Sequence, residues 1–487
     1  MILLKDILYK VGLNAVVGNT SCVVNRIAFN SKAIGKGDVF VAIVGHVADG
    51  HKYINAAIQQ GATAVVCQVM PENLEPGVTY VQVDRSDKAL AIMAANYYNE
   101  PSKNLKLVGI TGTNGKTTIA ALLYQLFKKA GYKVGLLSTV KIMVDDVAYK
   151  ATHTTPDSLS INKYLAEMSA VGVAYCFMEV SSHGIDQCRT EGLVFDGGIF
   201  TNLSHDHLDY HSTFAEYRDV KKSFFDQLPK TAFALVNVDD KNGQMMLQNT
   251  KAKKQTYALK SYADYRAQIL ENEFSGLLLK LNNQEVWTRL IGYFNAYNVL
   301  AIYAAAELLG LEKNEVLRLV SDLESVSGRF QYFVTPNKVT AIVDYAHTPD
   351  ALKNVLETIN SIRTQNETLI TVVGCGGDRD KTKRPKMGHI ASALSTRVIF
   401  TNDNPRSENP ELILKDIEKG VEPQNFKKVL TIPNREQAIK TACQFAAPND
   451  IILIAGKGHE NYQEINGERF DFDDYKTVES LLKQLQK

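Results

Sequence analysis

Apolar residues along this chain gather in short unbroken runs, separated by longer stretches in which they recur at helical spacing. The first such runs fall at 39–44, 64–67 and 79–83, with helix-like stretches at 53–60 and 88–98 between and after them. A small α/β unit is expected there. Further runs at 105–110, 134–137, 175–180, 198–200 and 233–236 alternate with helical segments, and the pattern repeats with runs at 341–345, 369–373, 398–401 and 451–455 and a helix over 349–362. Runs without polar interruption belong to strands covered on both faces, so both later parts read as mostly parallel sheets sandwiched by helices. Glu100-Pro101-Ser102 breaks the helical pattern before the run at 105–110. The expected fold is therefore α/β with three domains: a small N-terminal domain over 1–103, a central mostly parallel domain of phosphate-loop type over 104–329, and a C-terminal Rossmann-like domain over 330–487.

Composition narrows the function classes. The chain has 487 residues, 45% of them hydrophobic and 22% charged, with a net charge of +1. Such a balance gives no reason to expect nucleic acid or an anionic membrane as partner. Six cysteines (Cys22, Cys67, Cys176, Cys188, Cys375, Cys443) lack C-x-x-C spacing, so reduced structural thiols are expected and no zinc site is indicated. No window reaches the length of a membrane span and the N-terminus lacks a secretory pattern, so a cytoplasmic protein without membrane insertion is expected.

The chemistry concentrates in polar clusters that follow the apolar runs, where ligands of parallel sheets collect. Gly112-Thr113-Asn114-Gly115-Lys116-Thr117-Thr118 stands between the run at 105–110 and the apolar segment 120–127. A strand feeding a glycine turn that opens a helix is a phosphate cradle: backbone N–H groups of Gly112 to Lys116 are expected to face a polyphosphate, with the Lys116 ammonium on its β and γ oxygens and the Thr117 hydroxyl on Mg²⁺. The general pattern places a glycine five residues before Gly115, where this chain has Ile110, so a plain glycine-threonine turn competes with that reading. Glu179 and His207 follow successive strands and could both reach a metal beside the cradle, although each is equally at home as a structural residue. Lys221, read by itself, is a solvated helix lysine. Gly374-Cys375-Gly376-Gly377 lacks the G-x-G-x-x-G spacing of a dinucleotide site.

The loop Gly112 to Thr118, Glu179-Val180-Ser181-Ser182-His183, Thr201-Asn202-Leu203 with the following segment up to His211, Gly292 to Asn298, Gly328-Arg329, Asp344-Tyr345-Ala346-His347 and Gly456-Lys457-Gly458-His459-Glu460 together resemble the Mur ligases, ATP-dependent amide-bond-forming enzymes of peptidoglycan synthesis. The resemblance spans essentially the whole chain, and the variant loop is the form that family carries. It implies that the N-terminal domain binds a UDP-muramoyl group, and that ATP is held by Gly112, Thr113, Asn114, Gly115, Lys116, Thr117, Thr118, Asn295, Asn298, Arg329 and Asp344. It implies a catalytic set of Lys116, Glu179, His207 and Lys221, with Mg²⁺ held by Thr117, Glu179, His207 and a Lys221 carbamylated by CO₂. Within the family the chain looks like the member that adds the third amino acid. Its implied small-molecule partners are UDP-MurNAc-L-Ala-D-Glu, on Ser31, His46, His153, Thr154, Thr155, Ser181, Gln187 and Arg189, and meso-diaminopimelate, on Arg384, Asp403, Asn404, Pro405, Arg406, Gly456 and Glu460. Arg406 marks the diaminopimelate-adding members, because its fork can grip a second carboxylate that lysine does not have. Asn30-Ser31-Lys32 replaces the family's usual Asp-Ser-Arg, and His153 stands where asparagine is common. A monomer is expected. The competing readings are a lysine-adding or folylpolyglutamate synthetase-like ligase and a nucleotide-binding switch that makes no bond.

Overall fold

The computed structural model describes residues 2–45, 48–204 and 210–487. Among them the chain builds three main sheets in sequence order. The N-terminal sheet runs Ala15–Val17, Thr79–Gln82, Ala64–Cys67, Val39–Val41, Ile27–Ala28, parallel except at the Ala15–Val17 edge. Its two faces bury separate clusters, Val39, Val41, Val66 and Val81 on one side and Phe40, Val65 and Tyr80 on the other. Alternation along a strand accounts for that split.

The central sheet has at its middle the strand Lys106–Thr111, flanked by Tyr175–Glu179 and Gly197–Phe200, all parallel. Val108 and Ile110 point to one hydrophobic cluster and Leu107 to the other, each face covered by helices. Parallel pairing continues outward through Phe233–Asn237 and Lys253–Ala258 to Tyr265–Glu273, then turns antiparallel through Gly276–Leu281 and Gln284–Thr288. The C-terminal sheet runs Gln331–Val334, Thr340–Asp344, Ile451–Ala455, Leu369–Val373, Arg397–Phe400, Val429–Thr431, parallel after its first pair. The helix Pro349–Ile362 forms where its spacing predicts, with Thr348 capping it by accepting the Ala351 N–H.

Contacts tie the three parts together. Arg85 donates to the Asp186 carbonyl at 2.8 Å and Lys88 pairs with Glu191 at 3.1 Å, which docks the N-terminal part against the central one. Arg329 donates to Thr117 Oγ1 at 3.1 Å, which holds the junction of the central and third parts at the phosphate loop. Among the described residues no helix is long and apolar enough to cross a membrane.

Candidate active site

The phosphate loop leaves the central strand at Thr111 and enters the helix Lys116–Lys129. Gly112 has φ +145°, and a Cβ there would run into Thr201 Oγ1, so the turn requires glycine. Thr201 and Asn202, at the end of the neighbouring strand, clamp the loop. Thr113 N–H donates to the Asn202 carbonyl at 2.8 Å, Asn114 N–H donates to Asn202 Oδ1 at 3.0 Å, and Thr201 Oγ1 donates to the Asn114 carbonyl at 2.6 Å. In this structure the Thr113 and Asn114 amides are taken up in fastening the loop, and the helix Lys116–Lys129 starts directly after it, where first-turn amides lie outside the helix's own hydrogen-bond ladder. Lys116 Nζ donates back to the Gly112 and Thr113 carbonyls, at 2.9 Å each, and so overhangs the loop.

Glu179 is fully buried at the end of its strand. It accepts from Thr117 Oγ1 at 3.0 Å, from the Thr139 N–H at 2.8 Å and from Thr139 Oγ1 at 3.2 Å. Thr139 Oγ1 shares a 3.1 Å hydrogen bond with Thr154 Oγ1, where the Thr154 hydroxyl can donate, so Thr154 joins the same network. Thr117, Thr139 and Glu179 make an all-oxygen donor group, which is what a hard Mg²⁺ takes. Lys221 is likewise brought in, not solvated: it is 1% exposed, donates to the Gly112 carbonyl at 3.0 Å and lies over the Tyr217 ring at 4.8 Å. His207 and His46 lie outside the described residues.

A second polar group extends from Glu179. Thr155 Oγ1 shares a 3.0 Å hydrogen bond with Ser181 Oγ, and the Arg189 guanidinium donates to the Thr155 carbonyl at 2.6 Å and to Gln187 Oε1 at 2.6 Å. His153 stands beside them; burial, then the nearby Arg189 charge, holds its imidazole below the ordinary value. Burial also lowers Arg189. Ser31 opens a short turn capped by Asn30, whose Oδ1 accepts the Lys32 N–H at 3.1 Å, and no hydrogen bond joins it to the central group among the described residues. Asn therefore still makes the cap that the family's usual aspartate would make.

Asn298 Nδ2 donates to Asn295 Oδ1 at 2.9 Å, and its own Oδ1 lies against the start of the phosphate-loop helix at Gly115. Arg329 stacks on Tyr345 at 4.5 Å while it reaches Thr117. Asp344 accepts the Phe330 N–H at 2.7 Å, and burial pushes its carboxyl up to about 6.

The amino-acid candidates sit at the strand ends of the third sheet. Arg406 adopts φ +50° and donates to the Gly377 carbonyl at 2.8 Å. Its backbone pairs with the hairpin Tyr462–Asp471 through Ile465. Asn404 Nδ2 donates to Glu460 Oε2 at 2.8 Å, and a Cβ on Gly456 would lie 2.5 Å from Asp403 Oδ2. Pro405 lies beside them against Gly377. Arg384, whose Nη2 also lies 3.5 Å from the Gly376 carbonyl, has acidic partners of its own. It is 1% exposed and donates to Glu408 at 2.9 Å and Asp416 at 3.1 Å. Thr139, Thr201, Asn202 and Lys457 belong to these networks too, yet sequence reasoning gave them no role; only their positions after apolar runs signalled them.

Comparison with known proteins bears on the whole arrangement. Residues 110–306 match the model of the Mur ligase middle domain, 328–458 that of the Mur ligase glutamate ligase domain, and 23–98 that of the Mur ligase family catalytic domain. The chain is a member of the Mur ligase family. This Mur ligase is 52% identical, over 99% of its length and all of the relative's, to the UDP-N-acetylmuramoyl-L-alanyl-D-glutamate–2,6-diaminopimelate ligase of Cytophaga hutchinsonii. It is 50% identical to the ligase of the same name from Phocaeicola vulgatus, over 98% of this chain and 99% of that one. A solved structure of a UDP-N-acetylmuramoyl-L-alanyl-D-glutamate–2,6-diaminopimelate ligase superposes with a TM-score of 0.70 at 30% identity, covering 100% of this Mur ligase and 99% of that chain.

Proposed function

We propose that this Mur ligase joins meso-diaminopimelate to the D-glutamyl γ-carboxylate of UDP-MurNAc-L-Ala-D-Glu at the expense of ATP. The observation that carries the reading is end-to-end identity with diaminopimelate-adding ligases together with an arginine, Arg406, at the strand end where the incoming amino acid is expected. Under this reading the γ-carboxylate attacks the ATP γ-phosphorus, the bond to the ADP oxygen breaks, and an acyl phosphate results. The amine of diaminopimelate then attacks the acyl carbon, phosphate leaves, and the amine gives up a proton as the amide forms.

The protein's part is positioning and charge. Lys116 and the first-turn amides of its helix hold the β and γ oxygens, while Asn295, Asn298, Arg329 and Asp344 hold the rest of the nucleotide. Thr154, Thr155, Ser181, Gln187 and Arg189, with His153 beside them, offer the hydroxyl, amide and guanidinium donors that a muramoyl-dipeptide and its diphosphate need, with Ser31 and His46 on the uridine side. Thr117 and Glu179 would hold Mg²⁺, with His207 and a carbamylated Lys221, and the ion would neutralise charge on the transferring phosphoryl group. Arg406, with Arg384, Asp403, Asn404, Pro405, Gly456 and Glu460, would take the incoming amino acid. The reading includes a monomeric, cytoplasmic enzyme of three domains divided near residues 103 and 329.

Release of ADP and phosphate in equal amounts, dependent on both the nucleotide-linked dipeptide and the amino acid, is the expected assay result. Turnover that ignores the amino acid would instead favour a nucleotide-driven switch. Lys221→Ala is expected to lose activity that bicarbonate does not restore; unchanged turnover would exclude the carbamate.

A further inference from the structure

Among the described residues, Lys457 has an unusual position for a lysine: its side chain is 0% exposed, at the mouth of the third sheet. A buried ammonium is costly unless it is matched. Its acceptors are two side chains of the proposed amino-acid pocket, Asn404 Oδ1 at 3.0 Å and Glu460 Oε2 at 3.2 Å. Asn404 Oδ1 also accepts the Glu464 N–H at 2.9 Å, so two donors fix its oxygen and turn its Nδ2 onto Glu460 Oε2. Both bonds to Glu460 thus fall on Oε2, and its Oε1 takes no hydrogen bond among the described residues.

We propose that Lys457 is a positioning residue for amino-acid recognition: it locks Asn404 and Glu460 so that Glu460 Oε1 receives the distal ammonium of the substrate. This rests on the functional reading above. Charge supports it. Asp403 and Glu460 are two buried or nearly buried carboxylates against the single ammonium of Lys457, while the neighbouring Arg435 is matched by Asp474 at 2.7 Å. Lys457 is thus the ammonium bonded to Glu460, and a substrate ammonium would be met by the oxygen that Lys457 leaves open. Burial and the Asp403 charge push the Glu460 carboxyl up, and Lys457 works against that rise.

The test is a double-mutant cycle on the full-length enzyme with Lys457→Met and Glu460→Gln, run on the amino acid that the wild-type chain consumes fastest from a panel. Lys457→Met should raise the KM for that amino acid roughly tenfold to a hundredfold, the size of a lost charge-assisted pair, with the ATP KM and the melting temperature little changed. The double variant should be no worse than Glu460→Gln alone, because both act through one carboxylate. Lys457→Arg, which keeps the charge, should recover part of the loss. If Lys457→Met does not fold, Lys457→Gln takes its place in the cycle. An unchanged amino-acid KM, or a double variant whose loss is the product of the two single losses, overturns the proposal. Wild-type preference for L-lysine would overturn the diaminopimelate reading yet leave the Lys457 cycle in force, since lysine also carries a distal ammonium. Preference for a neutral amino acid would overturn both.

Discussion

The phosphate-loop side and the amino-acid side of this site are made of different materials. Around Gly112 to Thr118 the contacts are backbone amides, carbonyls and short hydroxyls, held by Thr201 and Asn202. Around Asp403 to Arg406 they are charged side chains from separate strand ends, with Lys457, Glu460 and Glu464. Under the proposed function the backbone groups would hold the phosphate chain of ATP, and the charged side chains would distinguish one amino acid from another. The difference teaches that reaction and specificity are separable here, and mutations should separate them.

The largest effect is expected on the backbone side. Gly112→Ala puts a Cβ into Thr201 and a side chain at φ +145°, so kcat should fall roughly a hundredfold or more for every amino acid offered. A loss confined to one amino acid, measured by ADP release, would blur the comparison. Arg406→Ala should instead raise the KM for diaminopimelate about 10- to 150-fold, the equivalent of about 1.5–3 kcal/mol for a charge-assisted pair, and spare the KM for ATP. Equal rises in both constants would show that the two sides are not separable.

The smallest effect is expected at two buried titratable groups, His459 and Asp344. His459, packed on Tyr345 at 4.9 Å, is held down to about 3 by burial, with Arg329, His347 and Lys457 adding to it. As pH falls from the ordinary histidine value near 6.5 toward 3, the unfolded chain takes up a proton that the folded one refuses, so stability is lost with falling pH over that window. Asp344 works against it: with its carboxyl raised to about 6, the folded chain keeps a proton that the unfolded one has released, and stability rises as pH falls from about 6 toward 3.8. His459→Gln should therefore flatten the acid side of a denaturation-against-pH curve, and Asp344→Asn should steepen it. Parallel curves for the two variants would show that neither group titrates as its burial dictates.

Much of the fold was legible because parallel strands buried on both faces leave unbroken apolar runs. The antiparallel extension Tyr265–Glu273, Gly276–Leu281 and Gln284–Thr288 was not. Its first strand alternates buried with exposed and half-exposed positions through charged residues, and its signal resembled loops. The phosphate loop was legible because its seven residues are contiguous. Its clamp was not, since Asn202 lies 88 residues from Asn114 and only the folded sheet brings them together. Lys457 was hidden for the same reason: its bond to Asn404 spans 53 residues, and a lysine in a loop otherwise reads as solvated. The ion pairs of Arg384 with Glu408 and Asp416 were equally illegible, because those partners lie 24 and 32 residues away.

The most direct measurement is competition between meso-diaminopimelate and L-lysine at equal concentration, with UDP-MurNAc-L-Ala-D-Glu and ATP, read by the mass of the product. The expected product carries diaminopimelate almost alone, and Arg406→Ala should erode that preference. A product that carries mainly lysine would contradict the account.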